Sequence, residues 1–168
     1  MRVNTKHIII ILASALLSAC SGGYSFTGGS VGEAKTLRVG YFPNRAAVVN
    51  PSLSNQFAEA LKDRFLQQTN LNLSNDVADL EFEGQITGYR ISPQAIQGNE
   101  TAALNRLKIT INVKFVNRKD ESKNFESNFS RFSDYSSTES LTSVENQLVD
   151  EILEQITEDI FNRALVNW

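Results

Sequence analysis

The sequence predicts an α/β (α+β) two-layer sandwich: a four-stranded mixed sheet with two helices on one face, in the order β-α-β-β-β-α. Three observations carry that expectation. Leu104–Val116 alternates polar and apolar side chains from Arg106 through Phe115, the signature of a half-buried strand. Residues 52–68 and a stretch from Thr142 to about Leu165 instead repeat apolar residues at spacings of three and four, the helical period. Finally, 168 residues suit one domain, and such a chain, at about 150 residues without a leader, buries enough of its surface for an independent core. Strands and amphipathic helices that cannot bury their apolar sides alone pack as layers.

Each element follows in turn. Leu37, Val39 and Tyr41 alternate with Arg38, Gly40 and Phe42, giving a short strand closed by Pro43. Pro51 stands where a helix starts, since its missing N–H costs little there. The helix of 52–68 turns Leu53, Phe57, Ala58, Ala60, Leu61 and Phe65 inward, with Asn70 as its stop. Leu71-Asn72-Leu73 reads as an extension of the helix exit. In Leu80–Ile86 the even positions are apolar, Gly84 and Gly88 mark a bulge or a close backbone approach, and Pro93 ends the strand.

The strongest strand, Leu104–Val116, sends Leu107, Ile109, Ile111, Val113 and Phe115 to one side and Arg106, Lys108, Thr110, Asn112 and Lys114 to the other. Asn117–Lys123 is a charged turn, and Phe125 with Phe129 restarts the alternation through Phe132, completing an antiparallel hairpin. After the Ser-rich stretch 133–140, Thr142-Ser143-Val144-Glu145 fits a capping box. Leu148, Val149, Ile152, Leu153, Ile156 and Ile160 continue the last helix.

The first nineteen residues have the form of an export signal: Arg2 and Lys6, an apolar run from Ile8, then small residues. Leu17-Ser18-Ala19-Cys20 resembles a bacterial lipobox, which implies cleavage before Cys20, a diacylglycerol on its thiol and an acyl chain on its new amine. Such multiple chains anchor a protein far more firmly than one. Ser21 after the Cys favours outer-membrane delivery by analogy, on the periplasmic side. Residues 20–35, with Gly22, Gly23, Gly28, Gly29 and Gly32, read as a tether carrying Tyr24 and Phe26. Residues 36–168 form the domain.

Cleavage would leave no His, no Met and no Cys except the lipidated one. That excludes a zinc site, a disulfide, a Ser-His-Asp triad and a Cys nucleophile, and no cofactor is expected beyond the covalent lipid. The mature charge, 14 basic against 19 acidic residues or −5, offers no basic stripe for nucleic acid. Asp79, Glu81, Glu83 and Glu100 invite a paired-carboxylate reading, but alternation places Glu81 and Glu83 on the exposed side of an ordinary strand. Three glycosylation-type triplets, at Asn72, Asn99 and Asn128, carry no weight in a bacterial lipoprotein. Trp168 is left undecided between a mobile end and a partner contact.

Taken in order, several segments carry a family resemblance: Cys20 with its tether, Leu37-Arg38-Val39-Gly40-Tyr41-Phe42, and Phe82-Glu83-Gly84-Gln85-Ile86-Thr87-Gly88-Tyr89. Asn105-Arg106-Leu107-Lys108-Ile109-Thr110-Ile111, Phe129-Ser130-Arg131-Phe132 and the acidic closing helix complete the set. Together they resemble the LptE lipopolysaccharide-assembly lipoproteins in their Bacteroidetes form. The resemblance implies a non-enzymatic outer-membrane lipoprotein that plugs an LptD-type β-barrel, assists its assembly and binds lipopolysaccharide. Arg106, Lys108 and Lys114 on one strand face, with Arg118 and Lys119 in the turn beyond, are then the candidate contacts for lipid-A phosphates; a solvated strand face is the plain alternative. Leu37–Pro43 and the helix after it also resemble periplasmic lipoprotein activators of cell-wall synthases and secretion-accessory lipoproteins. A lipoprotein hydrolase would need a Lys- or carboxylate-based site.

Overall fold

The structure, a computed structural model, describes residues 30–94 and 103–166. Cys20, the leader, Tyr24, Phe26, Glu100 and Trp168 lie outside the described residues, as does most of the tether.

The elements are β1 (Thr36–Val39), α1 (Leu53–Gln68), β2 (Asn72–Leu73), β3 (Leu80–Gln94), β4 (Leu104–Asn117), β5 (Phe125–Ser136) and α2 (Leu141–Leu165). A single 3-10 turn, Glu121–Lys123, joins β4 to β5. The sheet order is β2-β1-β3-β4-β5. β1 runs parallel to β2 and β3, while β3, β4 and β5 are antiparallel. The sheet is mixed, as predicted, but has five strands and not four. The extra strand is Asn72–Leu73, expected to extend the helix exit. It pairs instead with Thr36 and Leu37, and two exposed residues are too short to show an alternation.

Thr69 makes that turn. Its hydroxyl donates to the Phe65 carbonyl at 2.6 Å and accepts the Leu71 N–H at 3.3 Å, so α1 ends at Gln68 as the predicted range 52–68 does, with Thr69 and not Asn70 as its cap, and the chain leaves extended. Both helices lie on one side, where the odd positions of β4 from Leu107 to Phe115 are buried against them in one core. Aromatic rings cross that core: Phe161 meets Phe65 at 5.1 Å, Phe65 meets Phe82 at 4.9 Å, and Phe82 stacks on Phe115 at 4.7 Å. Each such ring contributes roughly 1.5–3 kcal/mol by leaving water.

Four local expectations change. The alternation through β1 breaks after Gly40, so Tyr41 is 70% exposed while Phe42 is fully buried. Phe42 turns in because Gly84 leaves it space: a Cβ on Gly84 would stand 2.8 Å from the Phe42 ring. Pro93 does not end β3, which runs on to Gln94 with Pro93 opposite Asn105. Past Ile86 the described structure places only β4 beside β3, and a missing N–H on the other side costs no ladder bond. β5 likewise continues past Phe132 to Ser136, into the Ser-rich stretch. The capping box does not form. α2 starts at Leu141 after Ser140, and Glu145 instead accepts from the Tyr89 hydroxyl and, at 2.8 Å, from Asn50.

Candidate functional site

The sheet face opposite the helices is polar, and cross-strand register arranges it in rows. Glu83, Lys114 and Glu126 form one row; Gln85, Asn112 and Asn128 the next. A bulge between Ile86 and Gly88 follows. Then come Gly88-Thr110-Ser130, Arg90-Lys108-Phe132 and Ser92-Arg106-Asp134. The middle rows satisfy one another: Thr110 and Ser130 hydroxyls lie 3.0 Å apart, and Asn112 donates to Asn128 at 3.1 Å.

The Arg90-Lys108-Phe132 row differs. Arg90 and Lys108 face each other directly across the β3–β4 pair. Like charges so placed repel, and among the described residues no acidic group pairs with either. They border a shallow hollow of about 280 Å³, lined also by Thr87, Gly88 and Thr110. On the β5 side Phe132 stays 46% exposed, its ring covered in part by the Arg106 guanidinium at 3.6 Å. Arg106 is itself held by two 2.7 Å bonds to Asp134. That bond also holds the Asp134 carboxyl below its usual range. The arrangement presents two cations without an acidic partner among the described residues, beside an apolar ring, a pairing suited to an anionic group on an apolar molecule.

Of the five predicted cations, the structure brings Arg106 and Lys108 together. Lys114 shares their face but lies six residues along β4, about 20 Å away, between Glu83 and Glu126. Arg118 and Lys119 stand at the far end. Arg118 donates to the Glu81 carboxylate at 3.3 Å, and Lys119 pairs with Asp79 at 3.1 Å.

These last contacts settle where the acidic residues of β3 go. Glu81 was expected on the exposed side; it is only 6% exposed, covered by the guanidinium groups of Arg38 and Arg118. Burial pushes its carboxyl up, but the Ala78 N–H and the two arginines outweigh that and hold it below the usual carboxylate range. Glu83 takes the second bond from Arg38. Asp79 accepts the backbone N–H groups of Lys35 and Thr36 at 2.8 and 3.2 Å. With Lys119 these pull its carboxyl down to about 2. Carboxylates held as anions by arginine and N–H donors are poor proton donors at neutral pH, and they fasten β1 to β3. No cluster able to hold a metal ion occurs among the described residues.

Arg90 and Phe132 were not among the predicted contacts. Continued alternation from Leu80 would send Arg90 to the core side, and the bulge reverses the phase so that Tyr89 is buried and Arg90 is not. Gly88 was the available signal. Phe132 follows Phe129 by three residues, an odd step, which places it on the opposite face of β5 from Phe125 and Phe129.

Among known proteins, the sequence model of the LptE family, described as lipopolysaccharide-assembly, matches residues 34–164. A comparison with curated proteins returns no match. A hypothetical protein from Chlamydia trachomatis shares the fold at a TM-score of 0.54 and 8% identity, over 80% of this chain and 99% of that one. A minor lipoprotein from Acinetobacter baumannii aligns at 0.47 and 15% identity, covering 77% and 91% of the two chains. The rare lipoprotein B from Shewanella oneidensis aligns at 0.46 and 12%, covering 76% and 92%.

Proposed function

The chain belongs to the LptE lipopolysaccharide-assembly family, and from that premise we propose that it is an outer-membrane lipoprotein acting by binding, not by bond-making. In this reading Cys20 carries the diacylglycerol and N-acyl chain that hold the domain at the periplasmic side of the outer membrane. The domain enters and plugs an LptD-type β-barrel, assists its assembly, and takes part in delivering lipopolysaccharide to the outer leaflet. A polar, internally bonded sheet face suits a water-filled barrel lumen.

The observation that supports the lipopolysaccharide contact best is the Arg90–Lys108 pair beside Phe132. Two facing cations with no acidic partner among the described residues gain from a bridging phosphate, by charge-assisted hydrogen bonds stronger than neutral ones. Phe132 offers an apolar surface to the rest of the amphiphile. Arg106, already bound to Asp134, buttresses the ring. Lys114 sits between two carboxylates, while Arg118 and Lys119 are engaged with Glu81 and Asp79, so these three contribute less to the contact.

Charge reversal tests this reading. The pair Arg90→Glu and Lys108→Glu should weaken lipopolysaccharide binding at least tenfold with an unchanged unfolding transition, whereas Lys114→Glu should have little effect. Equal loss from all three changes would leave no special role for the pair. Detergent extraction of outer membranes tests the partner: a large barrel protein should co-purify in stoichiometric amount. A peptidoglycan synthase in its place would favour the cell-wall activator reading.

A further inference from the structure

β5 is an edge strand, at the opposite side of the sheet from β2. Its register with β4 is unbroken from Ser136 opposite Leu104 to Phe125 opposite Phe115. Long edges of this kind are normally guarded by lysine, proline, a bulge or an inward-pointing charge. β5 has no lysine, proline or bulge. Its one charge on the helix side, Arg131, is bound back to Asp159 of α2 by two 2.6 Å bonds. That ion pair crosses the groove of about 530 Å³ between β5 and the last turns of α2. An occupant therefore lies along the edge and not in the groove.

The hydrogen-bonding phase of the edge is fixed. Ser137 donates its N–H to the Ala103 carbonyl at 3.0 Å, so the odd residues of β5 bond to β4 and the even ones turn their N–H and carbonyl groups outward. From Glu126 to Asp134 those outward groups have no partner among the described residues, and the residues that carry them are exposed.

We infer that this edge pairs with the same edge of a second copy, antiparallel, about a two-fold axis at Phe129. A two-fold interface must be self-complementary, and this register is. It sets Asn128 opposite Ser130 of the second copy and Glu126 opposite its Phe132. The Phe132 ring carries the Arg106 guanidinium at 3.6 Å and has Lys108 beside it on β4, so each Glu126 meets a cationic row. On the helix side Arg131 stands opposite Ser127 of the second copy. That brings Asp159 toward the second copy's Arg163, which lies 4.8 Å over Phe125. The groove thus faces its own counterpart, acid to base in both directions. Neighbouring registers lose this match. An axis at Ser130 sets Glu126 against Asp134 of the second copy, and like charges directly opposite repel. An axis at Asn128 takes Glu126 off the cationic row.

The pairing does not rest on the lipopolysaccharide reading, but it bears on it. Glu126 of the second copy competes with a lipid phosphate for Lys108, so separation of the pair opens the site.

Cysteine cross-linking tests the register. Two tagged copies of the full chain are co-expressed in its native envelope, one with Asn128→Cys and the other with Ser130→Cys. In a hydrogen-bonded antiparallel pair, facing Cα atoms are about 5.5 Å apart, within disulfide reach. Like positions, 128 with 128 or 130 with 130, are diagonal neighbours at about 8 Å, beyond it. The mixed combination should yield at least ten times the oxidised dimer of either like combination, with Cys20 common to all three. Equal yields, or none from the mixed combination, would overturn the proposal. Mass is the second measurement. In detergent the native full chain should sediment as two polypeptides per particle, and Asn128→Pro, which removes one outward N–H and no backbone bond to β4, as one. A single polypeptide for the native chain, or two for the proline variant, counts equally against it.

Discussion

Gly84 is the position where a single atom decides most. Its φ of +156° is rarely adopted by other residues, and a Cβ there would stand 2.0 Å from the Asn112 carbonyl oxygen across the β3–β4 ladder. Both contacts are with parts of the structure that cannot yield cheaply. Gly84→Ala should therefore cost about 3 kcal/mol, read as a lower denaturant midpoint at unchanged slope. Gly88 makes the contrast. A Cβ there meets the Thr110 side chain at 3.1 Å, a contact that a small shift relieves, so Gly88→Ala should cost less than half as much. Tyr89 is the other residue with a disproportionate role. Burial, and then the adjacent Glu145 carboxylate, push its hydroxyl well above the ordinary tyrosine value, so it stays a donor. Removing that donor while keeping the ring, in Tyr89→Phe, should cost about 1–2 kcal/mol by leaving Glu145 with only Asn50 among its described partners. A thermal melt of the variant checks it.

Between elements, Asp79 and Glu81 join the start of β3 to β1 and to the turn after β4. Asp79 sits at about 2 in the folded protein, against about 3.9 for an unfolded aspartate. A depressed carboxyl contributes stability that is complete above the unfolded value and disappears as pH falls through the folded one. The contribution, on the order of 1 kcal/mol after solvent screening, should be lost between about pH 4 and pH 2. Glu81, also depressed, adds in the same direction. Asp79→Asn should thus lower stability at pH 7 and flatten its acid dependence, as followed by denaturant midpoints at several pH values. None of this node was visible in the sequence, because it joins residues about forty positions apart through backbone N–H groups. What was visible had length and period: α1, α2 and β4 repeat their apolar residues often enough to declare both type and buried side. β2 has two residues and no period. Tyr41 and Phe42 exchange places because of a glycine on another strand, and Arg90 changes face at a bulge. The candidate site was half legible for the same reason: Arg106 and Lys108 follow the uninterrupted period of β4, while their neighbours Arg90 and Phe132 come from strands where the simple count slips.

On the scale of the whole molecule, the two layers differ in charge. α2 carries six acidic residues and one arginine, whereas on the open sheet face around Arg90, Lys108 and Arg106 the only acidic residue in these rows among the described residues is Asp134. Overall the chain carries a net charge of −3 and so repels anions. Any attraction for a phosphorylated lipid must therefore be local, and that has a measurable form. Exposed charges more than about 8 Å apart are largely screened at physiological salt, so the acidic helix layer should matter little there and the cation pair much. Binding to vesicles carrying lipid A is expected to exceed binding to vesicles with its dephosphorylated form by about tenfold at 0.15 M salt. Arg90→Glu with Lys108→Glu should abolish that difference. Reversing Glu154 and Glu158 on α2 to lysine tests the converse: it raises the net charge by four yet leaves the phosphate preference unchanged if recognition resides in the pair. Should those helix changes create as much preference as the sheet changes remove, net charge alone would account for binding, and the open face would have no claim as a site.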